Sequence, residues 1–125
     1  MSKVLTLAKR LRAGDQYISK QTGNLVTVLA VHNLNRELTA TWVLDIADSL
    51  QTETMPHDLF VEVIHKGLPH TVEAHELKPH DLVQAKDDLY AEVVRIYTDG
   101  NEVVLLFAND KFVILARDHK LRRIQ

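Results

Sequence analysis

The feature of this sequence that most constrains its fold is a repeated pattern of apolar, basic and acidic residues. The stretch LRAGDQY at 11–17 reappears as LKPHDLV at 77–83. The closing segments match as well, because HDLFVEVI at 57–64 lies over RDHKLRRI at 117–124 once an extra stretch near 46–55 is allowed for. The pattern predicts two copies of one structural unit, and chance similarity between two β-rich halves stays open as the alternative.

Within each copy the apolar residues recur at every second position, which is the period of a β-strand. In the segment ELTATWV, Leu38, Ala40 and Trp42 alternate with polar residues, so we expect Trp42 to lie in the first core. Turn sequences such as TDGN at 98–101 separate the runs, because Asp-Gly and Gly-Asn pairs tolerate the left-handed conformations of tight hairpins. The second copy is predicted to contain strands near 81–86, 89–97, 102–108, 111–116 and 121–124.

Short antiparallel strands hide their edges best by curling into a small barrel. A brief helical turn predicted at RDHK, before the last strand, makes the second copy resemble an SH3-like barrel. The L-K/R-x-x-D segments that begin at Leu11 and Leu77 are similar to those of barrels in translation and transcription proteins. The resemblance implies a mainly β fold of two tandem five-stranded SH3-like barrels. The predicted organisation is an N-terminal basic helix at 1–12, a first barrel at 13–66, and a linker with a second barrel at 67–125.

The N-terminal helix is predicted from apolar residues at helical spacing. Val4, Leu5, Ala8 and Leu11 would share one face, while Lys9, Arg10 and Arg12 would surround it. Such a helix would present its basic residues to solvent.

Composition excludes several classes of site. Without cysteine the chain has no disulfide, no thiol nucleophile and none of the common cysteine zinc sites, and its four glycines form no phosphate loop or dinucleotide fingerprint. Ser19 and Ser49 lack the flanking residues of a nucleophile elbow. The longest apolar runs, at 103–108 and 112–116, are too short to span a bilayer. We therefore expect a cytoplasmic, non-enzymatic protein with no cofactor.

Four histidines spaced five residues apart occupy the segment HKGLPHTVEAHELKPH at 65–80. A metal site needs three or four ligands that converge on one point, and a spacing of five scatters side chains on both helices and strands. We therefore predict no metal site and expect linker and turn histidines, with His80 taking the conformational role of Gly14 in the other copy. The alternatives left open are a pH-sensitive hinge and a ligand set of His70, Glu73 and His75.

Charge is segregated along the chain. Both ends are basic, whereas the segment from 37 to 65 contains six acids and no lysine or arginine. If the two ends meet, their cations form a patch able to neutralise several phosphates. This predicts salt-sensitive contacts with a nucleic acid or a nucleoprotein assembly through Lys9, Arg10, Arg12, Arg117, Lys120, Arg122 and Arg123.

Aromatic residues that could stack on bases are scarce. The candidates are Tyr17, Tyr90 and Tyr97. The alternation of the strands instead places Phe107 and Phe112, with Trp42, in the cores.

A protein partner is the alternative. The third strand of the second copy carries Val104 and Leu106 where the first copy has Thr39 and Thr41, so two branched apolar side chains face outward and need a cover. The lysine-free segment would suit a basic surface of another protein. This predicts an adaptor or inhibitor whose interface comprises Val104, Leu106, Asp45, Asp48 and Glu53. The sequence does not specify the oligomeric state.

Overall fold

The computed structural model describes residues 2–43 and 50–124. These residues are mainly β-strand, which confirms the predicted fold class at that level. They divide into two compact units. The first unit comprises residues 5–43 and 50–64, and the second comprises residues 65–124 together with residues 2–4.

The N-terminal segment is a strand rather than the predicted helix. Strand β1 spans Ser2–Leu7 and is followed by a first 3₁₀ turn at Ala8–Arg10. Val4 is buried with the core residues of the second unit, whereas Leu11 lies in the core of the first. The helix prediction was wrong because these apolar residues serve two different cores and share no single helical face.

Five further strands belong mainly to the first unit, and they pair antiparallel in the order β5-β4-β3-β2-β6. Their core contains Trp42, which is 0% exposed, as the alternation of ELTATWV predicted. The strands are β2 (Gln16–Ile18), β3 (Leu25–Leu34), β4 (Glu37–Val43), β5 (Leu50–Pro56) and β6 (Phe60–His65). The core residues are Ala8, Leu11, Tyr17, Val26, Val28, Leu38, Ala40, Trp42, Met55 and Val61.

The second unit contains the five strands that the sequence predicted, each within about two residues. It also contains β7, a strand in the segment that was predicted to be linker. The strands are β7 (Pro69–Glu73), β8 (Leu82–Lys86), β9 (Leu89–Asp99), β10 (Glu102–Phe107), β11 (Phe112–Ala116) and β12 (Lys120–Ile124). A second 3₁₀ turn, Ala74–Glu76, follows β7. The strand order is β7-β12-β8-β9, and β10 pairs with both β9 and β11.

The pairings among the described residues do not close either unit into a barrel. In the first unit β5 and β6 stand at the two ends of the strand order and do not pair with each other. In the second unit the same holds for β7 and β11. The helical turn predicted at RDHK is instead a simple turn, in which the N–H of His119 donates to the carbonyl of Ala116 at 3.0 Å. Tandem SH3-like barrels therefore stay a prediction beyond the observed β architecture.

Each unit contains an equivalent set of hydrogen bonds around its 3₁₀ turn, and we call this set the frame. In each unit a turn begins at a buried leucine, Leu11 or Leu77, and an aspartate carboxylate of that turn accepts a main-chain hydrogen bond. Asp15 accepts the N–H of Arg12 at 2.9 Å, and Asp81 accepts the N–H of Lys78 at 2.8 Å. Three main-chain hydrogen bonds also have an equivalent in each unit. In the first unit the N–H groups of Ala8, Gly14 and Val28 donate to the carbonyls of Leu59, Val28 and Asp15. In the second unit, in the same order, the N–H groups of Ala74, His80 and Val93 donate to the carbonyls of His119, Val93 and Asp81.

The same turn needs a left-handed residue in both units. Gly14 has φ +95° and His80 has φ +79°, so His80 takes the conformational role that the sequence predicted. A histidine side chain resists this conformation more than glycine does. Duplication stays a prediction.

Candidate binding surfaces

The first set of predicted cations surrounds the first 3₁₀ turn. Ala8 and Leu11 are buried and anchor the turn in the core of the first unit. Lys9, Arg10 and Arg12 are exposed. This geometry presents three cationic side chains to solvent from one short segment.

The second set lies at the end of the second unit. Arg117 follows β11, whereas Lys120 and Arg122 alternate along β12, and all three are exposed. The charge pattern predicted that the two chain ends meet in one patch. The first set belongs to one unit and the second set to the other, so that joint patch stays a prediction.

Arg123 differs from its neighbours because it points into the second unit. Its Nη1 lies 3.4 Å from Oδ2 of Asp81, and the two side chains are 14% and 19% exposed. Within the described part of the chain, Nε of Arg123 is buried without a hydrogen-bond partner. The side chain therefore holds the Asp81 turn against β12 and is poorly placed to reach a phosphate.

Most of the candidate stacking residues are buried. Tyr17 and Tyr90 are 0% and 2% exposed, so they cannot stack on a base, whereas Tyr97 is half-exposed. Phe107 packs against the second core, as predicted. Phe112 was predicted in the core, and that prediction was wrong because its side chain is 63% exposed on the outer side of β11.

An apolar surface covers the outer side of three neighbouring strands of the second unit. Val104 lies opposite both Tyr97 and Ile114, and Leu106 lies opposite Phe112 on β11 and Arg95 on β9. Directly opposite residues point to the same side of a sheet. Val104 and Leu106 are half-buried, whereas Tyr97, Phe112 and Ile114 are 52%, 63% and 55% exposed. We call these five residues the apolar face.

The alternation of the strands predicted only the centre of the apolar face, Val104 and Leu106. The run FVILA in β11 looks like a buried strand, and nothing in its pattern says which side meets solvent. Pairing it with β10 assigns Phe112 and Ile114 to the side of Leu106 and Val104. Register, which sequence alone does not supply, therefore determines the extent of this surface.

The matching side of the first unit is polar. Thr39 lies opposite His32 and Thr54, and Thr41 lies opposite Thr52. The hydroxyl oxygens of Thr39 and Thr54 are 2.9 Å apart and share a hydrogen bond. The apolar character is thus specific to the second unit rather than a general property of this fold.

The acidic surface predicted between 37 and 65 is only partly described. Asp45 and Asp48 lie outside the described residues. Glu53 is 6% exposed, and its carboxylate accepts hydrogen bonds from the hydroxyl of Tyr17 at 2.5 Å and from the main-chain N–H of Gln21 at 2.7 Å. The Ser19 hydroxyl also donates to this carboxylate at 3.1 Å. Glu53 therefore fixes β5 to the Ser19–Gln21 segment and does not contribute to an exposed acidic surface.

Alkaline pH should test this carboxylate network. Burial and the neighbouring Glu53 carboxylate raise the pKa of Tyr17 above its usual 10.0. The folded state therefore keeps its proton longer than the unfolded state, so this contribution to stability is complete below about pH 10 and falls as the pH rises further. We expect tyrosinate absorbance to show Tyr17 ionising together with unfolding as the pH rises above about 10.

The control for this titration is Tyr17→Phe. This variant should be less stable at neutral pH, and its free energy of unfolding should depend less on pH above 10. An ionisation that Tyr17→Phe abolishes and that precedes any loss of circular dichroism would contradict the buried position of Tyr17.

The regularly spaced histidines have separate structural roles. His65 Nδ1 accepts the N–H of Gly67 at 2.9 Å, and His80 Nδ1 lies 2.8 Å from a carboxylate oxygen of Glu92. Potential ligand atoms of Glu73, His75 and Glu76 do lie within 4.8 Å of one another. Glu73 and Glu76 there form the capping box of the second 3₁₀ turn, and His70 is outside the group. Turn capping accounts for the two carboxylates, and His75 Nε2 lies 3.5 Å from a carboxylate oxygen of Glu73.

A cleft of about 650 Å³ also opens on the second unit. Tyr90 and Gly67 line it together with groups of both charges, including Lys66, Arg122 and Asp88. A side chain at Gly67 would place Cβ only 2.5 Å from the buried Ile124, so the wall of the cleft requires glycine there. The mixed charge gives this cleft no preference for an anion or a cation.

No protein-family model and no curated protein sequence matches the chain. Within residues 2–43 and 50–124, no helix has the length and apolar character needed to cross a membrane.

Proposed function

We propose that the chain is a non-enzymatic binding module that contacts the phosphate backbone of a nucleic acid or nucleoprotein assembly. The observation that carries this proposal is the exposure of six predicted cations, three on each unit. The first set is Lys9, Arg10 and Arg12, and the second set is Arg117, Lys120 and Arg122. Arg123 is excluded from the contact set because it is paired with Asp81.

Exposure matters because phosphate contacts are made by long cationic side chains that remain in water until they displace counterions. Each phosphate neutralised on duplex DNA contributes about 0.9 to the slope of log affinity against log salt. Such contacts position a protein on the backbone and carry no base information. The buried positions of Tyr17 and Tyr90 agree with a mode that relies on phosphates more than on base stacking.

The experiment is fluorescence anisotropy with labelled single- and double-stranded RNA and DNA across a salt series. We expect binding that weakens with salt, and a slope that falls by roughly two when Lys120 and Arg122 are both replaced by glutamate. Lys9→Glu/Arg10→Glu/Arg12→Glu tests the first set in the same way. Arg123 is left unchanged, because reversing its charge would break the pair with Asp81 and damage the fold.

The matched control reverses two exposed lysines outside both sets, Lys86 and Lys111. It changes the net charge as much as Lys120→Glu/Arg122→Glu does. Equal loss of binding in the two double variants would show that binding depends on net charge and not on the positions of Lys120 and Arg122. No binding by the wild-type chain at low salt would refute the nucleic-acid proposal.

A second candidate is a protein-interaction module, and the apolar face favours it. Exposed apolar clusters on soluble domains usually mark an interface. The matching side of the first unit is threonine-rich, so a sheet with this strand arrangement folds without an exposed apolar surface.

A further inference from the structure

Strand β11 is an open edge of the second unit. It pairs with β10, and no other described strand pairs with it. The carbonyl of Lys111 and the N–H of Arg117 bond back toward β10, to Phe107 and Asn101. Because antiparallel pairing alternates, the main-chain groups of Phe112 and Ile114 point to the open side, where another strand could accept and donate hydrogen bonds.

This edge lacks the usual protection against pairing with another chain. Natural edge strands carry charge, proline or a bulge, or lie under another element. Strand β11 reads FVILA, without a charge or a proline, and Phe112 and Ile114 are mostly exposed. The corresponding edge strand of the first unit, β5, reads LQTETMP and includes the buried Glu53.

We propose that β11 pairs antiparallel with β11 of a second copy of this chain, so that the two second units form one continuous sheet across a two-fold axis. Opposite residues must point to the same side of that sheet, and the open main-chain groups must meet. An axis through Val113 satisfies both conditions. It places Phe112 of one copy opposite Ile114 of the other, and the apolar faces of both copies become continuous.

Charge disfavours the neighbouring register whose axis passes through Ile114. An axis through Ile114 would set Lys111 opposite Arg117 and Asp110 opposite Asp118, with each like-charged pair occurring twice. The axis through Val113 sets Lys111 opposite Leu115 and Asp110 opposite Ala116 instead. Like charges directly opposite one another destabilise a sheet, so the register through Val113 is preferred.

The expected affinity is moderate. Two short edge strands and one row of apolar side chains bury less than the roughly 800 Å² per partner of a standard stable interface. A reversible dimer with a dissociation constant of micromolar order is therefore expected. The net charge of −2 adds little repulsion between the copies.

Sedimentation equilibrium over a concentration series, without nucleic acid, tests the dimer. We expect the mass to rise from the 14.2 kDa monomer toward twice that value. Ile114→Lys should abolish the rise, because it places a charge on the open edge. Leu50→Lys is the matched control, since Leu50 is 67% exposed on β5, and it should leave the rise unchanged. Circular dichroism melting establishes that both variants fold.

The absence of cysteine permits a direct test of the register. Cysteines placed at Val113 would face each other across the axis as a non-hydrogen-bonded pair about 4.5 Å apart between Cα atoms. That separation lies within the range of a disulfide, so Val113→Cys should oxidise to a covalent dimer. Leu50→Cys, the control on β5, should oxidise slowly at the same concentration.

A wild-type chain that stays monomeric, together with equal cross-linking of the two cysteine variants, would overturn this proposal. A dimer that survives Ile114→Lys would also overturn it, because the contact would then lie elsewhere. Neither result bears on nucleic-acid binding, which uses the exposed cations and is measured separately.

Discussion

Replacing Trp42 with alanine is expected to lower the free energy of unfolding of the first unit by about 3–5 kcal/mol. Trp42 is 0% exposed and belongs to the core cluster that includes Tyr17, Leu38 and Met55. Removing its indole leaves a cavity that neighbours on paired strands cannot fill without breaking their register. Urea denaturation followed by circular dichroism measures the loss, since the variant no longer contains tryptophan.

The control for this prediction is Leu25→Ala on β3. Leu25 is 44% exposed, so truncating it should cost less than about 1 kcal/mol. If Trp42→Ala were as mild as Leu25→Ala, the indole would not fill the first core and the register of β4 would have to change.

Glu53→Ala is expected to destabilise the first unit by about 3 kcal/mol or more. The change removes the acceptor for the hydroxyls of Tyr17 and Ser19 and for the N–H of Gln21. Each buried donor left without a partner costs about 1–3 kcal/mol. Chemical denaturation of the variant beside the wild type measures the difference.

Two further variants show whether the network causes that loss. Glu53→Gln keeps one acceptor oxygen and should be less damaging than Glu53→Ala. Glu37→Ala removes an exposed acid from β4 and should change stability by less than about 0.5 kcal/mol. Equal stability of Glu53→Ala and Glu37→Ala would show that the buried carboxylate contributes nothing to the fold.

Short-range sequence patterns predicted the strands of the second unit and the buried position of Trp42. Alternation specifies a strand and its two sides, but it does not say which side meets solvent when both are apolar. Phe112 was misplaced for that reason. The N-terminal helix failed similarly, because helical spacing cannot show that Val4 and Leu11 belong to different cores.

The charge pattern of the sequence predicted exposure correctly for some charged residues and incorrectly for others. Lys120 and Arg122 are exposed as expected, whereas Arg123 and Glu53 are mostly buried and held by partners 42 and 34 positions away. Such pairings depend on tertiary contacts that no local pattern contains. The extent of the apolar face required strand register for the same reason.

The frame around each 3₁₀ turn also bears on how freely such a unit can change its sequence. Its repeated hydrogen bonds run mostly between main-chain groups, and the aspartates Asp15 and Asp81 are the only shared side chains that take part in those described above. Main-chain groups are present whatever the side chain, so substitutions can accumulate at most of these positions without loss of the turn. Two units built this way can therefore carry different surfaces, one threonine-rich and one apolar, on the same set of main-chain hydrogen bonds.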